Sequence, residues 1–130
     1  MIGKVDISTG EVIPLYETKN PNQFGPGAGA ASYSHVSDEV IFIHGPFHPT
    51  GPENQYDLFR RVGVVAAGDG SGEYHLADVR NTISPYIPGA LRGGTHRHEF
   101  SGDGLWVGFT YNDAVVKAYG KKIGKDLDLR

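Results

Sequence analysis

The chain contains no cysteine. Disulfides, thiolate nucleophiles and cysteine metal ligands are therefore excluded, while the compartment stays open. No apolar stretch approaches the roughly 20 residues that a helix needs to span a bilayer, and Met1-Ile2-Gly3-Lys4 lacks the apolar centre of a secretory signal. Basic residues are few: 12 Lys and Arg stand against 15 Asp and Glu, a net charge of −3, and no basic run exceeds two residues. Such a surface is a poor match for nucleic acid. Gly-x-Ser-x-Gly, phosphate-loop and dinucleotide fingerprints are also missing, which removes serine hydrolases and nucleotide enzymes from contention.

Glycine, in contrast, is abundant. It supplies 19 of 130 residues, and with 8 prolines it cuts the chain into short segments. Enough Leu, Ile, Val and Phe remain to build a core, so an ordered domain of ordinary size is expected rather than a disordered chain.

The segments repeat. Residues 29–43 and 96–110 align without a gap from Tyr33 and Phe100 onward, at an offset of 67: Ser34 falls on Ser101, Val40 on Val107 and Phe42 on Phe109. The likeness resumes at an offset of 69, where Asp57-Leu58 and Arg61 match Asp126-Leu127 and Arg130. After the first copy comes the β-branched run 62–67, which reads as a strand, then a Gly-rich turn and a further strand at 73–79. A hairpin of the same type, with Gly10 at its turn, occupies residues 4–15. The expectation is an all-β chain: a half unit at 1–16, a full unit of four antiparallel strands at 25–80 with an inserted Pro/Gly loop at 45–59, and an incomplete unit at 92–130. In the last of these, Val115, Tyr119, Ile123 and Leu127 recur at i+4 behind Asn112-Asp113, so one or two helical turns are expected there.

Four-stranded units in series are the pattern of β-propeller blades. The chain then reads as a propeller fragment of about two blades, completed either by a longer parent sequence or by self-association, because open sheet edges are a poor end state. The segment 93–113, Gly-Gly-Thr-His-Arg-His-Glu-Phe-Ser-Gly-Asp-Gly-Leu-Trp-Val-Gly-Phe-Thr-Tyr-Asn-Asp, resembles the hallmark of a bacterial family of unknown function whose members are built from TolB-type propeller repeats. Gly25-Pro26-Gly27-Ala28-Gly29 and the run 40–46 fit the same family, and the resemblance covers most of the chain from about Asn22. It implies a TolB-like propeller and carries no established activity.

Chemistry, where it exists, concentrates in the histidines. His96 and His98 stand two apart on an expected strand, so both should project from one face, and two imidazoles there form half of a typical metal site. Oligogalacturonate lyases, also TolB-like propellers, hold a divalent metal through Gln-x-x-His-x-His and a further His; Thr95-His96-Arg97-His98 is similar to the His-x-His portion, with Gly93 at the Gln position. His44 and His48, at the head of the Pro/Gly loop, are candidates for completing a Mn, Zn or Ca site, and Arg92 and Arg97 for gripping a carboxylate substrate. The bland alternative is that these histidines stitch strands together by hydrogen bonds. His35, in a turn, and His75, in an outer strand, read as surface residues, Asp38 and Asp103 as turn carboxylates, and Trp106 and Phe109 as core. Two functions follow: a non-catalytic propeller segment binding a protein, peptide or glycan, which is favoured, and a metal-dependent lyase acting on acidic uronate oligosaccharides.

Overall fold

A computed structural model describes residues 1–127. It contains strands β1 (Ile2–Val5), β2 (Val12–Tyr16), β3 (Ala28–Tyr33), β4 (Glu39–His44), β5 (Val62–Ala67), β6 (Tyr74–Leu76), β7 (Gly93–Phe100) and β8 (Val107–Asp113), followed by helix α1 (Ala114–Lys122). The strands form three antiparallel sheets, β1-β2, β3-β4-β5-β6 and β7-β8, each strand paired only with its neighbours in sequence. The all-β expectation is met. The helix also forms where its spacing placed it, started by Asp113, whose carboxylate accepts from the Val115 and Val116 backbone N–H groups at 2.9 Å. The match of Arg61 with Arg130 lies outside the described residues.

β4 and β5 are the centre of the molecule. Their sequences are nearly continuous runs of Val, Ile, Phe and Ala because both faces of the pair are covered, which removes the usual alternation with polar residues. On one face, Val40, Phe42, Val62, Val64 and Ala66 meet Ile2, Leu15 and Tyr16 of the β1-β2 hairpin. The rings of Tyr16 and Phe42 lie 5.0 Å apart. Each large side chain fully buried here contributes about 1.5–3 kcal/mol. The opposite face, carrying Gly63, looks toward β7: a Cβ on Gly63 would lie 2.8 Å from the His98 ring.

The repeat is structural down to its irregularity. In the first copy Gly29 pairs with Ile43 and Ser32 with Ile41; in the second His96 pairs with Thr110 and Glu99 with Gly108. Both first strands therefore bulge at the same place, where the non-glycine residues Ala30 and Arg97 take left-handed φ values of 54° and 53°. The turns agree as well. Ser34 N–H donates to Glu39 O, and Ser101 N–H to Trp106 O, both at 2.9 Å.

The inserted loop is anchored rather than free. The Tyr56 ring lies against Gly27 and Gly45, where any Cβ would come within 2.7 and 2.4 Å of it. Asp57 then caps the short 3₁₀ turn Leu58–Arg60 by accepting from Phe59 N–H at 2.8 Å, and Arg61 O receives the Thr95 N–H of β7 at 3.1 Å. Close approach at this seam requires glycine: a Cβ on Gly94 would sit 1.8 Å from the Leu58 carbonyl oxygen. The substitution Gly94→Ala should destabilise the fold by about 1–3 kcal/mol or more through forced backbone separation. Urea unfolding checks it, with a lower midpoint and an unchanged m-value as the expected result.

Candidate functional site

The bulge at Arg97 decides where the paired histidines point. His96 is in register with Thr110 and Glu99 with Gly108, so these four share one face; His98, adjacent to Glu99, is turned to the other. The expected convergence of His96 and His98 rests on simple alternation, which does not carry across one surplus residue. Their contacts agree. His96 Nε2 meets Asn112 Oδ1 at 2.8 Å, whereas His98 lies near Phe109, with ring centroids 6.2 Å apart, and against Gly63. The Asn112 carbonyl accepts, so Nε2 of His96 carries the proton and Nδ1 is left as an acceptor facing Arg61 Nη1 at 3.5 Å. Burial pushes the His96 imidazole below its ordinary pKa; the Asn112 bond opposes this and the Arg61 charge adds to it.

The two rings have different contacts, and the Arg61 guanidinium stands 3.5 Å from Nδ1 of His96. Among the described residues no group of three or more His, Asp or Glu is placed to hold a metal. His44 and His48 do not complete one either. His44 is buried in the apolar core, stacked on Phe47 with centroids 4.2 Å apart. Its Nδ1–H donates to Gly45 O at 2.7 Å and its Nε2 accepts from the Tyr16 hydroxyl at 2.9 Å, so both nitrogens are used. Burial lowers its pKa. His48 is exposed on the loop, and His35 and His75 are exposed as well.

Between the β5 face and β7 lies a polar seam. Thr95 Oγ1 donates to Asp78 Oδ2 at 3.0 Å, Arg80 Nη2 stands 3.5 Å from the same oxygen, and Arg80 also donates to the Arg61 carbonyl. Among the described residues five buried side-chain atoms have no hydrogen-bond partner: Arg61 Nε, Asp78 Oδ1, Arg80 Nε and both ring nitrogens of His98. Arg80 and His98 both interact electrostatically with the Asp78 carboxylate. His98 is 2% exposed, and burial lowers its pKa to about 4, with Asp78 opposing and His96 and Arg80 reinforcing the shift.

Arg92 and Arg97 have different surroundings. Arg92 Nη2 forms a 2.6 Å ion pair with Asp113 and its guanidinium lies over Tyr86, so it secures the start of α1. Arg97 is exposed. It lines a groove of about 680 Å³ between the 3₁₀ turn, β7, β8 and α1. Arg61, Arg97 and Lys117 supply the charge of that groove, Leu58, Phe59 and Tyr111 its apolar surface, and His96 with Asn112 its polar floor; among the described residues no carboxylate lines it. Lys117 Nζ lies over Phe59 and pairs with Asp126 at 2.6 Å. Sequence reasoning missed Arg61, Phe59 and Lys117, which come from a loop and a helix with no local motif. The repeat match singled out Arg61 but assigned it no role. Trp106 and Phe109, expected in the core, are exposed, because no described strand lies beyond β8.

The depressed pKa of His98 has a consequence for stability. The unfolded chain binds a proton near the ordinary pKa of 6.5 and the folded chain only near 4, so the cost of keeping this ring neutral is absent above pH 6.5 and grows as pH falls toward 4. About 3 kcal/mol should be lost across that window. Unfolding free energies measured from pH 7 to 4 should fall less steeply in His98→Leu than in the native chain, the difference between the two isolating this residue from the carboxylates.

Comparison with known proteins adds identity without activity. The chain is 38% identical over 129 residues to the uncharacterised protein YidR of Escherichia coli strain K12, an alignment covering 99% of this chain and 28% of that protein. The chain thus spans little more than a quarter of the length of this relative. No solved structure matches it. Residues 27–130 match the model of a family described as proteins of unknown function, DUF3748, and the chain belongs to that family.

Proposed function

We propose that the chain is a segment of a TolB-type β-propeller and that its cationic groove binds a carboxylate-bearing ligand, an acidic glycan or peptide, without chemistry. Support for the propeller comes from the four-stranded unit flanked by two hairpins, the bulge repeated at an offset of 67, and a relative more than three times as long. The observation that carries the binding role is the groove lining. In a chain of net charge −3, it brings together Arg61, Arg97 and Lys117, of which Lys117 is paired with Asp126. A clustered positive field in a concave, partly apolar wall favours an anionic guest.

The roles divide by environment. Arg97, exposed at the rim, is free to grip a carboxylate bidentately. Arg61 is held more tightly, over the Tyr56 ring at 5.0 Å and beside His96, so it presents a fixed charge. Phe59 and Tyr111 offer surface to a sugar face or an apolar side chain. A lyase mechanism would need the His96 and His98 metal pair, which the bulge separates, and it is not the reading favoured.

Calorimetric titration with trigalacturonate, an Asp/Glu-rich peptide and the neutral cellotriose tests this. Binding is expected for one or both acidic probes and not for cellotriose. Arg97→Ala should weaken it roughly tenfold or more, the value of one charge-assisted hydrogen bond, and raising salt should weaken it further. Equal affinity for cellotriose, or indifference to both Arg97→Ala and salt, would sink the proposal.

A further inference from the structure

The groove has a neighbour. A second cavity, of about 690 Å³, adjoins it, and the two share the Phe59 ring and the Lys117 side chain as a common wall. This cavity sits at the junction of the two copies of the repeat, where Asp57, Phe59 and Arg60 of the first face helix α1 and the residues after it in the second.

Positive charge is concentrated here. Among the described residues the two linings hold Arg60, Arg61, Arg97, Lys117, Lys121 and Lys125, six of the chain's 12 Lys and Arg, against Asp57 and Asp126 from its 15 acidic residues. Both carboxylates are engaged: Asp57 accepts from Phe59 N–H at 2.8 Å, and Asp126 pairs with Lys117 at 2.6 Å. Lys121 and Lys125 are exposed, and Arg60 gives one N–H to the Gln55 carbonyl at 2.9 Å while keeping its charge. A cationic strip running through two cavities suits a guest with several negative charges in a row better than one with a single carboxylate.

Its hydrogen-bonding character narrows the guest. Lys and Arg side chains only donate. The acceptors of the groove floor are taken up within the protein, Asn112 Oδ1 by His96 Nε2–H at 2.8 Å and His96 Nδ1 by Arg61 Nη1 at 3.5 Å. A sugar ring carries several hydroxyl donors that each need an acceptor on burial, whereas ionised Asp and Glu side chains only accept. Between the cations the walls are apolar, with Leu58, Phe59, Ala114 and Ala118. Apolar side chains gain by lying there and hydroxyls lose. We infer that the two cavities form one docking surface for an acidic peptide segment, whose carboxylates meet the strip from Arg97 to Lys125 and whose interspersed apolar side chains lie on the Phe59 divide. The assignment rests on the groove's binding role and chooses the peptide over the glycan.

Matched charge separates the two chemistries. Calorimetric titrations compare an end-capped octapeptide of six glutamates and two leucines with hexagalacturonate, which carries as many carboxylates, and with end-capped triglutamate, which spans only about 10 Å when extended. The octapeptide should bind about tenfold tighter than hexagalacturonate. Arg97→Ala and the double variant Lys121→Ala/Lys125→Ala, at opposite cavities, should each weaken the octapeptide roughly fivefold or more, while triglutamate responds to one of them only. Lys19→Ala, a cation that lines neither cavity, should leave the octapeptide unchanged. Hexagalacturonate binding as tightly as the octapeptide would overturn the peptide assignment and leave the groove's role standing. An octapeptide indifferent to the lysine double variant, or equally sensitive to Lys19→Ala, would overturn the joint surface, and silence of all three acidic probes would overturn both readings.

Discussion

The β4-β5 pair is the constraint from which the rest of the molecule follows. Two strands covered on both faces leave no solvent side, so every neighbour must either bring apolar surface or satisfy polar groups locally. The β1-β2 hairpin does the first, with Ile2, Leu15 and Tyr16. The β7 side does the second incompletely. It buries Asp78 between Arg80 and Thr95 and leaves His98 without a partner among the described residues. The central sheet thus has one seam that tolerates small displacements and one whose energetics depend on direction. Glycine is what lets the second close at all, through Gly63 under His98 and Gly94 against the Leu58 carbonyl.

The groove stands at the outer end of that polar seam. Arg61 belongs to both: its carbonyl ties β7 to the loop, its Nε is buried without a hydrogen-bond partner among the described residues, and its Nη1 faces His96. Burial and the neighbouring Arg61 and Arg80 charges lower the His96 pKa, and the ring is oriented by Asn112. Such a residue is a hydrogen-bonding floor.

How far the sequence could be read depended on the range of the forces involved. The strands, their sequential pairing and the start of α1 at Asp113 are written in local patterns, namely β-branched runs, Gly-rich turns and an Asn-Asp cap, and all of these appear. The duplicated segments were visible as well, since Tyr33 and Phe100 or Ser34 and Ser101 hold equivalent places in equal turns. The site was less accessible. Parity put His96 and His98 on one face because nothing in Thr-His-Arg-His announces a bulge; its twin at Ala30 sits in the plain run Gly-Ala-Ala-Ser. His44 and His48 looked like neighbours on a rim, but the stacking of His44 on Phe47 and its bond to Tyr16 draw it inward. Arg61 and Lys117 meet only through packing of a loop and a helix that lie far apart in sequence.

The twin bulges also separate two reasons for keeping a residue. A left-handed backbone costs a side-chain-bearing residue roughly 1–2 kcal/mol that glycine escapes, and Ala30 and Arg97 bear that cost at matching places. In a library selected for folding alone, glycine or asparagine should therefore be enriched at both positions, against the usual ranking for strand interiors. Under selection for ligand retention, the enrichment should persist at 30 and vanish at 97, where the guanidinium would be what the tension preserves.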